Sequence, residues 1–313
     1  MSNAMAVETF GLTKRFKTSL AVDGIDLKVP QGAACGFLGR NGAGKTTTIK
    51  MLTGLKRPTS GEFAIMGKKE EFGKGIGKVG YLPDVPGFYG YMTGHEFLML
   101  CAKLCGVPQN QQKGHIEDLL KRVGLFGVKT KISGYSRGMR QRLGIAQALV
   151  NSPPVVFLDE PISALDPMGR RDVMEIIGGL KGMTTVVFST HILSDVENIC
   201  DYIIIIEKGQ IRVQQTLEDL KKLWAKDMAK VSFYDEAASQ NFNNVLRAKH
   251  GDMQIEINEN DPLQVLVQCK TATPADISRL TAQILADIGA PFRSFGIHAP
   301  TLDDIFYEVT RDE

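Results

Sequence analysis

Nine consecutive residues, Gly39-Arg40-Asn41-Gly42-Ala43-Gly44-Lys45-Thr46-Thr47, carry the spacing that wraps a chain around a phosphate: glycine, four residues, then glycine, lysine and threonine. Gly42 and Gly44 have no Cβ, so the backbone can close round an anion and aim its N–H groups at it. A helix starting here adds its partial positive charge, Lys45 reaches the β- and γ-phosphates, and the Thr46 hydroxyl ligates Mg2+. The flanks suit that chemistry. Ala34–Leu38 is a short apolar run of strand character, and Thr47–Leu52 reads as the first turns of a helix. A glycine-rich turn that binds nothing has no need of strand, loop and helix in this order. The stretch reads as a nucleotide site.

A second set of residues offers acid–base chemistry. Val155-Val156-Phe157-Leu158 is apolar and ends in Asp159 and Glu160, the pattern of a buried strand delivering carboxylates at the sheet edge where ligands bind in doubly wound folds. Adjacent acids can divide the work, one holding Mg2+ through its water shell and the next orienting or deprotonating a water. A lone Asp-Glu pair is commonly just solvated, but four apolar residues before it and a phosphate loop upstream weaken that reading. Thr184–Ser189 repeats the buried-strand pattern and exits at Thr190 and His191. His191 alone among five histidines falls at such an exit; His95, His115, His250 and His298 read as surface or capping residues. Phe16, ahead of the phosphate loop, suits either stacking on an adenine ring or a place in the core. Ser136 is a candidate helix cap, followed by Gly138 and by Arg137, Arg140 and Arg142; the plain alternative is a basic, solvated helix start.

An α/β frame must position these groups. Val7–Phe10, Ile25–Val29 and Glu62–Met66 read as strands, with Leu12–Lys17 joining the first two and turn chemistry from Gly54 to Gly61. Val79–Leu82 is a strand ended by Pro83-Asp84-Val85-Pro86-Gly87. From Thr93 the apolar spacing becomes helical through Phe97, Leu98, Leu100, Cys101 and Leu104. It breaks at Gly106–Pro108 and resumes from Ile116 to Leu125, so residues 87–150 read as a helical insertion in the α/β core. Ser163–Pro167 turns into a helix around Met168–Gly178.

Composition excludes little but agrees. A chain of 313 residues suggests two domains, and 43% hydrophobic with 23% charged residues is ordinary for a soluble globular protein. A net charge of +2 gives no reason to invoke nucleic acid. The longest aliphatic run, Ile203–Ile206, is far below the ~20 residues of a membrane span and suits a buried parallel strand. Met1–Ala4 reads as an expression remnant with no signal peptide behind it. Cys35, Cys101, Cys105, Cys200 and Cys269 lack paired metal spacing, although Cys101 and Cys105 could share a helix face. A reduced, cytosolic chain is expected.

Taken in order, phosphate loop, helical insertion, Ser136 segment, paired carboxylates and histidine, the stretch from about Val7 to Leu220 resembles the nucleotide-binding subunit of an ABC transporter. The order makes the likeness specific, since no single motif does. The resemblance implies a P-loop NTPase core with an antiparallel β subdomain and an inserted helical subdomain. It implies that Phe16 stacks on adenine, that Gly39 to Thr47 form the Walker A loop, and that Asp159 is the magnesium carboxylate. Glu160 is then the catalytic acid that polarises water, His191 the contact to the γ-phosphate, and Asp166 part of the loop between paired sites. Ser136 and Gly138 match the signature that caps ATP bound by an opposite subunit, so each site needs two chains related head to tail. Two departures stand out. Asp84 occupies the position where the family usually has Gln; it cannot donate a hydrogen bond when ionised but could accept from Mg2+-bound water. Tyr135-Ser136-Arg137-Gly138-Met139 replaces the usual Leu-Ser-Gly-Gly-Gln, and Arg137 either adds favourable charge near the γ-phosphate or points to solvent. Both variants look like those of the bacterial drug- and bacitracin-export branch.

Residues from about 212 are expected to lie outside the nucleotide core, giving domains 5–220 and 221–313. Leu217–Trp224 reads as a linking helix, then strand Val231–Tyr234, helix Glu236–Ala248, strand Met253–Ile257, a turn at Asn258–Pro262 and strand Leu263–Cys269. Helix Pro274–Ile288, strand Phe292–His298 and helix Leu302–Val309 complete a βαββαβα order that fits a ferredoxin-like α+β domain, suited to subunit contact or regulation, or to acting as an inert stabilising cap. The expected function is ATP binding and hydrolysis, with Mg2+, that powers a membrane exporter. Partners are a second copy and a separate permease on the inner face of the membrane, docked through the Asp84–Thr93 loop and the helical insertion. The alternative is a soluble ABC ATPase acting on ribosomes or nucleic acid. One nucleotide core and no heptad stretch argue against that, and Glu160 with His191 argues against a scaffold without catalysis.

Overall fold

The computed structural model describes residues 4–73, 76, 79–224, 228–249, 254–257, 261–268, 274–298 and 301–310. Two compact units divide the chain, one running to Leu217 and the other over Glu218–Arg311.

The first unit opens with β1 (Met5–Arg15), β2 (Leu20–Ile25), β3 (Lys28–Pro30), β4 (Ala34–Leu38), α1 (Lys45–Leu52), β5 (Ser60–Ile65), β6 (Lys68–Glu70) and β7 (Val79–Leu82). There follow α2 (Gly94–Leu104), α3 (Gln109–Arg122), α4 (Arg137–Leu149), β8 (Val155–Leu158), α5 (Pro167–Gly178) and β9 (Thr185–Thr190). α6 (Leu193–Ile199), β10 (Tyr202–Glu207) and β11 (Gln210–Thr216) close it. β1, β2, β3, β5 and β6 make an antiparallel sheet. The second sheet has the order β11-β10-β4-β9-β8-β7, parallel except for β11. Every side chain of β4, β8 and β9 is buried, which is why these segments read as unbroken apolar runs. Val7, Leu12, Ile25 and Phe63 share one core with Phe37, Phe157 and Ile204, together with Ile49, Met51 and Leu52 of α1.

α2 starts with a capping box: Glu96 N donates to Thr93 Oγ1 at 3.2 Å and Thr93 N donates to Glu96 Oε2 at 2.7 Å. Such a cap contributes ~1 kcal/mol, and the Thr93 backbone bond holds the Glu96 carboxyl below its usual range. α2 and α3 bury Phe97, Leu98, Ile116, Leu119 and Leu120. α4 packs on β7 and β8, so the region read as an insertion over 87–150 gives its last helix to the α/β layer.

Two expectations are corrected. Leu12–Lys17 is not a connection, because β1 continues to Arg15, bending at Gly11 (φ +57°) where its register on β5 breaks between Phe10 and Thr13. The bulge makes a strand look like a turn. The core also does not end near 212: β11 pairs with β10 from Glu207↔Gln210 to Tyr202↔Thr216. As a half-exposed edge strand rich in glutamine, it has the composition of a linker.

The second unit contains α7 (Leu217–Trp224), β12 (Met228–Phe233), α8 (Glu236–Lys249), β13 (Gln254–Ile257), β14 (Gln264–Gln268), α9 (Pro274–Ile288), β15 (Phe292–His298) and α10 (Leu302–Thr310). Its sheet has the order β13-β14-β12-β15 with antiparallel neighbours throughout. Val231, Phe233, Val265 and Val267 alternate inward against Phe242 and Leu246 of α8 and Ile277, Ile284 and Leu285 of α9. Met1–Asn3, His250, Met253, the turn residues 258–260 and Cys269, all named above, lie outside the described residues.

Candidate nucleotide site

Parallel neighbours β4, β9 and β8 end at one sheet edge, so their exits meet. Leu38 pairs with Thr190 and Leu158 with Phe188. The loop after β4, the carboxylates after β8 and the histidine after β9 are therefore adjacent by register.

The loop from Gly39 to Gly44 ends at a left-handed residue, since Gly44 has φ +115° at the N-cap of α1. A Cβ there would sit 2.6 Å from the Ala21 carbonyl oxygen, so no other residue fits without displacement. Gly42 is also left-handed at φ +83°. Asn41, Gly42 and Thr46 are exposed, Thr47 is half-buried, and Ala43 is buried with its carbonyl accepting from Gly209 N at 3.0 Å. That last bond comes from the β10–β11 turn, which also accepts from Asp23 N at 2.9 Å through the Gly209 carbonyl. Sequence reasoning missed this clamp because it placed residues from about 212 outside the nucleotide core and gave the β10–β11 turn no part in the site; the Lys208-Gly209 turn dipeptide was its signal.

Lys45, 6% exposed, donates from Nζ to the Gly39 carbonyl at 2.7 Å and lies 3.5 Å from Glu160 Oε1. The other Glu160 oxygen, Oε2, is 3.0 Å from His191 Nδ1. Thr46 Oγ1 donates to Asp159 Oδ1 at 2.9 Å. The same Oδ1 accepts from Ser189 Oγ at 2.8 Å, and Ser189 Oγ accepts from Glu160 N at 2.8 Å. Glu160 itself has φ +49°, a conformation that costs a non-glycine residue ~1 kcal/mol or more and clusters at functional sites. Lys45, Thr46, Asp159, Glu160, Ser189 and His191 thus form one connected set. Ser189 was read only as part of a strand; its signal was a hydroxyl at the last turn of an otherwise apolar run.

The remaining named residues are placed apart from that set. Asp84, exposed beyond β7, acts on Tyr81, whose phenol is pushed up to about 12 by burial first and then by Asp159 and Asp84. Phe16 is 38% exposed rather than core, with Lys56 Nζ 4.8 Å and Lys14 Nζ 5.5 Å from its ring centre. Ser136 caps α4, accepting from Met139 N at 3.2 Å, and Gly138 faces Gly169 at the start of α5. Asp166 caps α5, accepting from Gly169 N at 3.1 Å. Arg137 is exposed, while Arg142 donates to the Val123 carbonyl at 3.1 Å.

Thr46 and Asp159 offer hard oxygen donors, which fit Mg2+. No three His, Cys, Asp or Glu side chains cluster as a metal cage among the described residues.

A phosphate loop facing paired acids on a parallel sheet, with an antiparallel sheet beside it, is the frame of an ATP-binding cassette. The ABC transporter family profile matches residues 22–163. An ABC transporter ATP-binding protein of Bacillus subtilis, YxlF, is 42% identical over 212 residues, covering 67% of this chain and 71% of that one. The bacitracin transport ATP-binding protein BcrA of Bacillus licheniformis is 38% identical over 267 residues, covering 83% and 84%. A solved ATP-binding subunit of an ABC transporter superposes with a TM-score of 0.61 at 28% identity, covering 70% of this chain and 92% of its own. A dimeric cassette bound to ADP and Pi superposes with a TM-score of 0.60 at 24% identity, covering 67% and 98%. The chain belongs to the ABC transporter ATP-binding proteins, and its first unit has their cassette fold.

Proposed function

We propose that this chain is the ATP-hydrolysing subunit that powers an ABC-type exporter. The observation that carries the reading is the Glu160 carboxylate held between Lys45 and His191, beside the Thr46–Asp159 pair. Lys45 releases its loop carbonyls to donate to the phosphates, while the backbone N–H groups of Gly42 to Thr47 cradle them. Glu160 accepts a proton from the attacking water, and His191 orients that carboxylate and the γ-phosphate. Thr46 and Asp159 would hold Mg2+, with Asp84 near the same edge, and the ion would supply neutralisation of the phosphate charge. Phe16, 38% exposed, is the ring we assign to adenine.

Ser136 and Gly138 are not joined to this set within one chain, and we assign them to the nucleotide of a second, head-to-tail copy. Binding of ATP would close the pair and hydrolysis reopen it. The Asp84–Thr93 segment exposes Val85 (76%), Tyr89 and Tyr91, apolar surface suited to a separate permease. No helix among the described residues is long and apolar enough to cross a membrane, and we place the protein at the inner membrane face through that partner. BcrA's name supports an export role without fixing the substrate. In the second unit, strand order 2-3-1-4 within βαββαβ agrees with a ferredoxin-like domain, for which we propose subunit contact or regulation.

The test is steady-state ATP hydrolysis with Mg2+, with EDTA, and in Glu160→Gln. Loss of a general base lowers the rate about 100-fold or more. A variant that hydrolyses at the wild-type rate overturns the role of Glu160.

A further inference from the structure

Ser189 stands at the C-terminal end of β9, wholly buried, and no role above is given to it. We propose that Ser189 is a positioning residue: its hydroxyl clamps the Asp159 carboxylate to the Glu160 peptide and so sets how strongly Mg2+ tightens nucleotide binding. This rests on the reading of Asp159 as the magnesium carboxylate.

A serine hydroxyl has one proton and two lone pairs. Here the proton goes to Asp159 Oδ1 at 2.8 Å, and a lone pair takes the Glu160 N–H at 2.8 Å. Thr46 donates to the same Oδ1 at 2.9 Å. Two donors converging on one oxygen fix the rotation of the carboxylate and direct Oδ2 away from both hydroxyls. The bond to Glu160 N also braces a residue whose φ of +49° is otherwise unfavourable. One buried side chain thus fixes both the metal-side acid and the water-side acid. The register makes this specific to position 189, because Leu158, the last residue of β8, pairs with Phe188, and the residues that follow them, Asp159 and Ser189, meet through their side chains. Thr190 supplies an internal control: it is equally buried, yet its hydroxyl accepts from Ile192 N at 3.0 Å in a local turn.

The experiment is fluorescence titration of a mant-labelled ATP on the full chain, in EDTA and at increasing Mg2+, for wild type, S189A, S189T and T190V. In EDTA, S189A binds within about twofold of wild type, while the Mg2+ needed for half-maximal tightening rises about tenfold, the effect of losing one hydrogen bond to a charged group. S189T keeps the hydroxyl and restores most of the response, and T190V leaves it unchanged. Wild-type Mg2+ dependence in S189A, or the same loss in T190V, overturns the proposal. If Mg2+ fails to tighten binding to the wild type, the reading of Asp159 falls and the proposal with it. Should S189A not fold, S189C replaces it as a weak donor of similar size; an unchanged Mg2+ response there is equally fatal.

Discussion

Lys45→Met probes the two roles the lysine plays in the site. Methionine keeps an unbranched stem at a position only 6% exposed and removes the ammonium. With it go the 2.7 Å bond to the Gly39 carbonyl and the pairing with Glu160 at 3.5 Å. A charge-assisted bond to phosphate is worth ~1.5–3 kcal/mol, so ATP affinity should fall about 10- to 150-fold. Without nucleotide, the change leaves the Glu160 carboxylate, 15% exposed, with His191 as its partner. Removing one member of a buried pair costs more than removing both. The double variant Lys45→Met/Glu160→Gln should therefore regain about half or more of the stability lost by the single one. Titration with a fluorescent ATP analogue reads the first effect, and urea unfolding of the nucleotide-free protein the second. Affinity within about threefold of wild type, or a double variant whose loss is the full sum of the singles, refutes the reasoning.

Three further outcomes follow from local geometry. Gly44→Ala puts a Cβ 2.6 Å from the Ala21 carbonyl oxygen at φ +115°, so stability should drop by about 2 kcal/mol or more along with ATP affinity; wild-type values would show that this contact does not set the loop. Ser136→Ala removes the α4 cap for ~1 kcal/mol in urea unfolding, and hydrolysis should fall far more than stability if the serine serves a partner's nucleotide; full activity would leave it a cap only. The Tyr81 phenol, pushed up to about 12 from 10.0, keeps its proton where the unfolded chain has lost its own, so the associated stability is intact below pH 10 and is lost as pH rises toward 12. Ultraviolet titration should show Tyr81 lagging, with Tyr202, which burial also raises, lagging beside it, and Asp84→Asn should bring only Tyr81 down by removing a negative neighbour; tyrosines that all titrate near the ordinary value would contradict the burial.

The sheet edge that carries the candidate site was legible because its residues are local in sequence and its strands are buried on both faces. Val155–Leu158 and Thr185–Ser189 show as apolar runs, and Asp159, Glu160 and His191 stand at their ends by simple counting. The second unit's elements were legible through alternation, as in Val265 and Val267. What could not be read is what depends on register between distant segments. The bulge at Gly11 disguises a continuous β1. β11 is joined to the core by pairing that its glutamines do not announce. Ser189 acts only because β8 and β9 set it opposite Asp159, thirty residues away in sequence. Phe16 left two readings open in sequence; its 38% exposure removes the core alternative.

The central claim is that two copies of this chain share each nucleotide, with Ser136 and Gly138 completing the site built around Lys45 and Glu160. Size-exclusion chromatography with light scattering on Glu160→Gln, with and without Mg-ATP, tests it most directly. A shift from monomer to dimer only when Mg-ATP is present is the expected result. A monomer under both conditions would contradict the shared site.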